Sequence, residues 1–305
     1  MFRIYNLRVT DVSSPNPPLE LLEVAKIIEN ELALRLEDLN LPQNLAEAAK
    51  YAVMNGGKRV RPALTLLCCE AVGGSRKQAM PAAIAVEFIH CFSLVHDDLP
   101  AIDDDDLRRG KPTLHIKVGE AMAVLAGDLL LSVAFSQLIS EQYSTAQQAT
   151  LTKILANATS DMVIGQVYDT IGGLPKQLDK HQQLEEIHRN KTGALIQSAC
   201  EMGAICGGAS KDALNAISTF GRANGLMFQI VDDLIDLHGS PEHVGKATGK
   251  DEEAGKTTYP GTIGVEASKL AVQELQKQAK SALDLLENDA ETLLSFNLWM
   301  AHRTR

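Results

Sequence analysis

The chain has 305 residues, of which 45% are hydrophobic and 22% are charged. This is the composition of an ordinary soluble globular protein with enough apolar material for a large core. The formal net charge of -10 argues against general binding to nucleic acids or anionic membranes, because basic surfaces drive both. An anionic substrate would therefore need metal ions or a local basic patch.

The first 18 residues, MFRIYNLRVTDVSSPNPP, lack the apolar run of a signal peptide, and we interpret residues 1–18 as a flexible leader. From Leu19 onward apolar residues recur at helical spacing, without a convincing alternating strand pattern. The sequence therefore predicts an all-α fold with one helical domain over residues 19–305. The predicted helices cover residues 19–39, 43–54, 61–73, 77–103, 117–140, 145–172, 179–188, 191–207, 211–238, 265–287 and 290–302.

Neither a membrane span nor a disulfide framework is predicted. The longest apolar stretch, residues 121–135, is interrupted by Gly127 and Asp128 and is too short to cross a bilayer. The cysteines lie in apolar helical stretches, in odd number and without zinc-type spacing, which favours reduced core residues in a cytoplasmic protein. They are Cys68, Cys69, Cys91, Cys200 and Cys206.

Two aspartate clusters are the strongest functional signal. Each lies near the C-terminal end of a predicted helix that is apolar on most faces, where unpaired carboxylates would be costly to desolvate. A divalent cation such as Mg2+ can neutralise them, and it typically takes one or two carboxylates together with phosphate oxygens. The clusters therefore predict two walls of one phosphate-binding pocket. They consist of Asp97, Asp98 and Asp103 in the first half of the chain, and Asp232, Asp233 and Asp236 in the second.

The spacing within the clusters supports shared metal binding. Asp232 and Asp236 are four residues apart, so their side chains lie on one helical face. In the first cluster Pro100 disfavours regular helix at the preceding residue. We therefore expect an ending or bulged helix that brings Asp103 back beside Asp97.

Basic residues follow glycine turns that could face the same cleft. Residues 56–62, GGKRVRP, combine a flexible turn with three cations just before a helix, which suits a diphosphate. Arg108 and Arg109 follow the first cluster directly, although arginines there could merely pair with the aspartates. Further cations near predicted helix junctions are Lys191, Lys246 and Lys256.

These motifs occur together and in a fixed order. The segments are GGKRVRP (56–62), EFIHCFSLVHDDLPAIDDDDLRRGKPTLH (87–115), GQVYD (165–169), KTG (191–193), FQIVDDLID (228–236) and DEEAGKTTYP (251–260). In these segments the chain resembles the trans-isoprenyl diphosphate synthases, specifically the bacterial farnesyl diphosphate synthase type. The resemblance covers Leu19 to the C-terminus.

The resemblance implies a single helical bundle or barrel around a deep central cavity, usually in a homodimer. It implies condensation of isopentenyl diphosphate with dimethylallyl and then geranyl diphosphate, through ionisation of the allylic diphosphate, attack on the carbocation and proton loss. No side chain is an obvious general base, and the resemblance implies that the departed diphosphate takes the proton.

The resemblance also assigns site residues. About three Mg2+ ions, with Mn2+ as the alternative metal, would be held on the allylic diphosphate by the six aspartates. Positive charge on that leaving group would come from Arg108, Lys191 and Lys256, with Lys246 nearby. Thr192 and Gln229 would offer oxygen dipoles to the carbocation. The diphosphate of isopentenyl diphosphate would contact Gly57, Lys58, Arg61, His90 and Arg109.

Product length is argued from the helix that carries the first cluster. Side chains about one turn before Asp97 line the space into which an allylic tail extends. Ser93 is small and lets the tail pass, whereas Phe92 is bulky and resembles the residue that stops growth at fifteen carbons. Farnesyl diphosphate is therefore the expected product, and Phe92 as an ordinary core aromatic remains the alternative.

Other functions remain open at this point. One alternative is a geranylgeranyl or longer-chain synthase, and another is a catalytically silent partner subunit. A di-iron carboxylate bundle would use the pairs Glu87-x-x-His90 and Glu185-x-x-His188, but it leaves the aspartate clusters unexplained. A terpene cyclase shares the aspartate chemistry but does not need a second diphosphate site.

Two further sets of residues have open roles. If the C-terminus helps to close the site, Arg303 or Arg305 could touch the second diphosphate. Gln166 and Asp169 either shape the allylic cavity or are buried structural polar residues.

Overall fold

The computed structural model describes residues 16–238, 257–288 and 290–303. Most of the predicted leader lies outside these ranges. The predicted substrate-binding residues Lys246 and Lys256 also lie outside them, as does Arg305.

Helices build the described part of the chain, so the predicted all-α fold is confirmed. Within these residues the only strands form a hairpin of β1 (Leu107–Arg108) and β2 (Lys111–Pro112), paired antiparallel. In chain order the helices are α1 (Leu19–Glu37), α2 (Gln43–Val53), α3 (Val60–Ala71), α4 (Arg76–Asp97), α5 (Leu114–Val118), α6 (Glu120–Gln137), α7 (Thr145–Thr170), α8 (Lys180–His188), a π-helical turn (Arg189–Gly193), α9 (Ala194–Cys206), α10 (Lys211–His238), α11 (Tyr259–Ile263), α12 (Val265–Leu283) and α13 (Glu291–His302).

The helices that carry the aspartate clusters lie centrally, as their apolar faces predict. Helix α4 packs against α3, α6 and α9, and α10 packs against α9 and α12. The core between them is built from aliphatic and aromatic side chains, including the fully buried Phe88, Ile84 and Phe220. Because α9 contacts both α4 and α10, it fixes the position of one cluster-bearing helix relative to the other.

Three boundaries differ from the prediction for physical reasons. Helix α4 ends at Asp97 rather than at residue 103, because Pro100 follows. Gly119, with φ of 87°, separates α5 from α6 inside the predicted helix 117–140. The predicted break before Lys191 is instead a continuous π-helical turn between α8 and α9.

Among the described residues, two helices, α4 and α6, are long and apolar enough to cross a membrane by length and composition alone. The most apolar window of α4 is 78% buried inside the protein, as expected for a core helix, whereas that of α6 is only 33% buried. One face of α6 packs against α4. Its other surface exposes apolar side chains such as Leu125, which is 57% exposed.

Candidate active site

The loop after α4 returns the first aspartate cluster to the helix end. The backbone N–H of Asp103 donates to the carbonyl oxygen of Asp97 at 2.9 Å, and that of Asp104 donates to Leu99 at 3.2 Å. Asp104 adopts a left-handed backbone conformation with φ of 52°, which an aspartate tolerates better than most residues. The prediction that Asp103 comes back beside Asp97 is therefore confirmed.

Asp97 is held in an environment that disfavours its charge. Burial, with smaller contributions from the neighbouring carboxylates Asp103 and Asp98, raises its pKa from 3.8 to about 7 against the opposing effects of Lys191 and Arg108. An added cation would strongly stabilise the ionised form of a carboxylate in such a position. This is the electrostatic environment expected of a ligand to a divalent metal.

The β1–β2 hairpin directs its two arginines to different partners. The Arg108 Nε donates to both carboxylate oxygens of the buried Asp98, at 2.7 and 2.8 Å. Arg109, with φ of 56°, instead donates a hydrogen bond to the carbonyl oxygen of Gly56. The hairpin thus connects the first aspartate cluster with the basic turn at residues 56–62.

Within the basic turn the three cations have different surroundings. Arg59 is buried and has φ of 50°; its Nη1 donates to Glu87 at 2.6 Å, and its Nη2 donates to the Val53 carbonyl at 2.7 Å. It therefore anchors the turn to α2 and α4, which corrects the expectation that all three cations cradle a diphosphate. Lys58 instead lies 5.6 Å from the centre of the Trp299 ring.

Arg61 and His90 form the inner part of this surface. The Arg61 Nη1 lies 3.4 Å from the His90 Nε2. Burial lowers the pKa of His90 well below its usual value, and Arg61 and Arg109 lower it further. A neutral imidazole at this point can hydrogen-bond an anion without adding another positive charge to the cluster.

Helix α7 and the π-helical turn place Lys191 beside the first cluster. The Lys191 Nζ donates to Asp169 at 2.6 Å, and the Gln166 amide donates to Asp103 at 3.1 Å. Gly165 allows this close packing, because a Cβ there would lie 2.1 Å from the Lys191 backbone nitrogen. Gln166 and Asp169 thus contact two predicted site residues, Asp103 and Lys191. Sequence spacing alone left their role undecided.

The neighbouring Thr192 is buried in the same turn, and this turn packs against α10. Gln229 is half-buried on α10, about one turn before Asp232 and Asp233. The fold therefore brings the π-helical turn to the helix that carries both Gln229 and the second cluster.

The members of the second cluster differ in their partners. Asp232 accepts a hydrogen bond from Arg303 at 2.6 Å. Asp233 accepts one from the Tyr259 backbone N–H at 2.8 Å, which ties α10 to the start of α11. Neither contact was predicted, because Tyr259 and Arg303 are far from both aspartates in sequence. The charge of Asp232 also acts on the pKa of Arg61, so the second cluster lies within electrostatic reach of the basic turn.

A ring stack supports this corner of the site. His188 stacks on Tyr259 with ring centres 5.8 Å apart, and its Nε2 lies 3.9 Å from Asp233. The Tyr259 hydroxyl donates to Glu185 at 2.6 Å. Both members of the Glu185-x-x-His188 pair are therefore engaged by Tyr259 rather than directed toward a shared metal.

We expect His188 to make the metal-free protein less stable in mild acid. Burial, with a smaller contribution from Lys191, lowers its pKa from 6.5 to about 4 against the opposing effect of Asp169. Between these values the unfolded chain binds a proton that the folded chain does not, so stability falls as the pH drops from about 6.5 to about 4. The loss should reach about 2 kcal/mol at pH 5.

Urea unfolding at pH 7 and pH 5 measures this loss. His188→Gln should reduce the difference between the two pH values, whereas His302→Gln, the same change at an exposed position, serves as the control. An unchanged pH dependence in His188→Gln would show that other groups cause it.

The donor set fits a hard divalent cation. Among the described residues no three His, Cys, Asp or Glu side chains converge closely enough to hold an ion by themselves. Mg2+ does not require such a cage, since it commonly combines one or two carboxylates with substrate phosphates and water. All the candidate ligands are carboxylates, as such an ion prefers.

Comparisons with known proteins identify the family. The model of the polyprenyl synthetase family matches residues 42–293. The chain belongs to this family. The match includes both aspartate clusters and the basic turn.

Individual relatives agree with the family assignment. Geranylgeranyl pyrophosphate synthase 4 of Arabidopsis thaliana is 43% identical over 266 residues, covering 86% of this chain and 72% of the relative. The heterodimeric geranylgeranyl pyrophosphate synthase large subunit 1, chloroplastic, of the same plant is 42% identical over 306 residues, covering 98% of this chain and 82% of the relative. The apo structure of an FPP/GFPP synthase from Zymomonas mobilis superposes with a TM-score of 0.80 at 35% identity, covering 92% of this chain and 97% of that one.

Family membership makes the chain a prenyltransferase that uses small prenyl diphosphates. It also removes the di-iron alternative, whose Glu87-x-x-His90 pair is in addition engaged by arginines. Glu87 is bonded to Arg59, and His90 lies beside Arg61.

Proposed function

We propose that the chain condenses isopentenyl diphosphate with dimethylallyl, geranyl and farnesyl diphosphates, with geranylgeranyl diphosphate as its end product. The observation that carries the condensation is the β1–β2 hairpin, where Arg108 holds the first cluster and Arg109 contacts the basic turn. A terpene cyclase needs only one diphosphate site. This hairpin instead connects two charged surfaces, the negative first aspartate cluster and the positive basic turn.

The product length is proposed from the relatives. Their names as geranylgeranyl pyrophosphate synthases at 42 to 43% identity support a C20 product better than the farnesyl diphosphate expected from Phe92. The Phe92 ring is 8% exposed and packs edge-on against His96 at 5.0 Å, and His96 lies 3.2 Å from the Val124 carbonyl of α6. The ring therefore lies on the side of α4 that contacts α6.

Ionisation of the allylic diphosphate requires stabilisation of the departing charge. The two clusters, Asp97, Asp98 and Asp103 with Asp232, Asp233 and Asp236, would hold Mg2+, and the bound ions would neutralise the charge that develops on the leaving group. Lys191 lies beside Asp97 and Asp169 and would add a fixed positive charge. Arg108, which is bonded to Asp98, would contribute a second positive charge to the same cluster.

The second substrate would bind at the basic turn. Lys58, Arg61 and Arg109 would hold the diphosphate of isopentenyl diphosphate, with neutral His90 as a hydrogen-bonding partner. The oxygens of Thr192 and Gln229 would face the carbocation, where dipoles stabilise positive charge without repelling it. The proton lost after condensation would pass to the departed diphosphate.

The apolar surface of α6 supports assembly with a second copy of the chain. Val124 and Leu125 are 39% and 57% exposed on a helix whose other face packs in the core. We propose a homodimer through this surface. Since one relative is named as a heterodimer subunit, turnover by the isolated chain is the test that separates an active synthase from a silent partner.

The cellular location stays a prediction. The cysteines of the described chain are free and buried, in agreement with the predicted reduced state. Because one of the relatives is named chloroplastic, a plastid location is an alternative to the predicted cytoplasm.

Product analysis tests the proposed chain length. With isopentenyl and geranyl diphosphates, the dephosphorylated product should be mainly a C20 alcohol, and a dominant C15 alcohol would restore the original Phe92 interpretation. Phe92→Ala should shift the products toward greater length, whereas Ser93→Phe should shorten them. If both variants leave the products unchanged, the end of the cavity lies elsewhere.

A further inference from the structure

The last described residue of the chain reaches the second aspartate cluster. The Arg303 Nη2 donates to Asp232 at 2.6 Å and to the Phe228 carbonyl at 2.9 Å. The Arg303 side chain is only 4% exposed, whereas that of Asp232 is 37% exposed. The arginine is therefore enclosed by protein, and the carboxylate remains accessible to solvent.

Several contacts hold Arg303 independently of the carboxylate. Its guanidinium carbon lies 4.4 Å from the centre of the Phe228 ring, and its Nε lies 3.3 Å from the Met300 sulfur. Because an arginine with this many packing partners keeps its position at little entropic cost, the ion pair is a built feature of the site. It differs in this respect from a mobile surface pair.

The helix that Arg303 caps, α13, also touches the basic turn. Trp299, one turn earlier on α13, lies under the Lys58 ammonium at 5.6 Å. One helix thus contacts the cation predicted for the second diphosphate and an aspartate predicted for the first.

We propose that Arg303 is an internal counter-cation that occupies Asp232 when no metal is bound and must give up this carboxylate when a divalent ion binds. The proposal rests on the proposed function, which makes Asp232 a metal ligand. A guanidinium and a metal ion compete for the same oxygen, because a carboxylate oxygen bound tightly to one has little negative potential left for the other. Arg303 would thereby lower the affinity of the second cluster for metal in the absence of substrate.

Binding of Mn2+ to the substrate-free protein, followed by electron paramagnetic resonance, tests the competition without any turnover. Arg303→Gln should tighten the Asp232-dependent Mn2+ binding about fivefold, the factor expected from losing one partly exposed ion pair. Arg303→Lys keeps the charge but loses the planar guanidinium that packs on Phe228, so its Mn2+ affinity should lie between those of the original protein and Arg303→Gln. Arg222→Gln removes a positive charge from an exposed position of α10, the helix that carries Asp232, and is the matched control.

The tighter Mn2+ binding expected of Arg303→Gln must depend on Asp232. In an Asp232→Asn background, Arg303→Gln should no longer change Mn2+ binding. The proposal would be overturned if Arg303→Gln bound Mn2+ no more tightly than the original protein. It would also be overturned if Arg303→Gln increased the Mn2+ affinity equally with Asp232 and with Asp232→Asn. Thermal melting of each variant confirms that it is folded. A separate condensation assay of the unmodified chain tests the proposed function itself, so the two ideas can fail independently.

Discussion

Replacing Asp97 by asparagine is expected to lower kcat/KM at least about 1000-fold, the scale of losing a central electrostatic contact to the reacting group. Asp97 is predicted to hold metal at the point where the leaving diphosphate gains charge. An amide has nearly the same shape as a carboxylate but lacks its negative charge. A steady-state assay with Mg2+ and geranyl diphosphate measures the loss.

The thermal stability of Asp97→Asn should not fall together with its activity. Burial and the nearby carboxylates raise the pKa of Asp97 to about 7, so its ionised form is disfavoured in the metal-free protein. Asp97→Asn should therefore melt at the same or a higher temperature than the original chain. This result separates a catalytic loss from a folding defect.

Asp104→Asn provides the matched control. Asp104 is exposed and lies in the left-handed region, which asparagine also tolerates. Its activity should stay within about threefold of the original, since a solvated surface charge contributes little. Equal losses in the two variants would show that general charge in the loop, rather than Asp97 itself, supports activity.

Gly165→Ala is expected to damage both stability and catalysis. The added Cβ would lie 2.1 Å from the backbone nitrogen and 2.5 Å from the Cα of Lys191, so the π-helical turn must move. Overpacking of this kind typically costs about 1 to 3 kcal/mol, and a displacement of about 1 Å at a catalytic group can cost about 100-fold in rate. Urea unfolding and kcat measure the two effects.

Gly193→Ala is a control within the same turn. Its added Cβ would lie 3.4 Å from the His188 carbonyl, which is near ordinary contact. We expect its stability to remain within about 1 kcal/mol of the original. If Gly165→Ala retained full stability and kcat, the close approach of α7 to the turn would not position Lys191.

The sequence predicted the first cluster well because its geometry is local. Pro100 ends α4 early, and a turn of few residues then brings Asp103 to Asp97. Local steric rules suffice for such a feature. The same holds for the helices, whose apolar spacing reflects burial against their neighbours.

Features that depend on distant contacts were not predictable in this way. Arg59 looks like its neighbours in GGKRVRP, but its left-handed backbone turns it into the core toward Glu87. The partners of Asp232 and Asp233 come from α13 and α11, and no spacing rule connects these elements. Tertiary packing alone decides which charged residues face the cleft and which stabilise its walls.

Product length shows a further limit of local reasoning. The position of Phe92 relative to Asp97 predicts a bulky residue below the cluster, and the structure places that ring near α6 through His96. The depth available to an alkyl tail depends on several helices at once. Relatives therefore carry more information on this point than one side chain does.

Condensation by the isolated chain tests the central claim most directly. With carbon-14 isopentenyl diphosphate, geranyl diphosphate and Mg2+, label should enter an acid-labile prenyl diphosphate that is longer than geranyl diphosphate, and EDTA should abolish its formation. If folded protein at saturating substrate and Mg2+ transferred no label, or if transfer continued undiminished in EDTA, the metal-dependent two-substrate site proposed here would be contradicted.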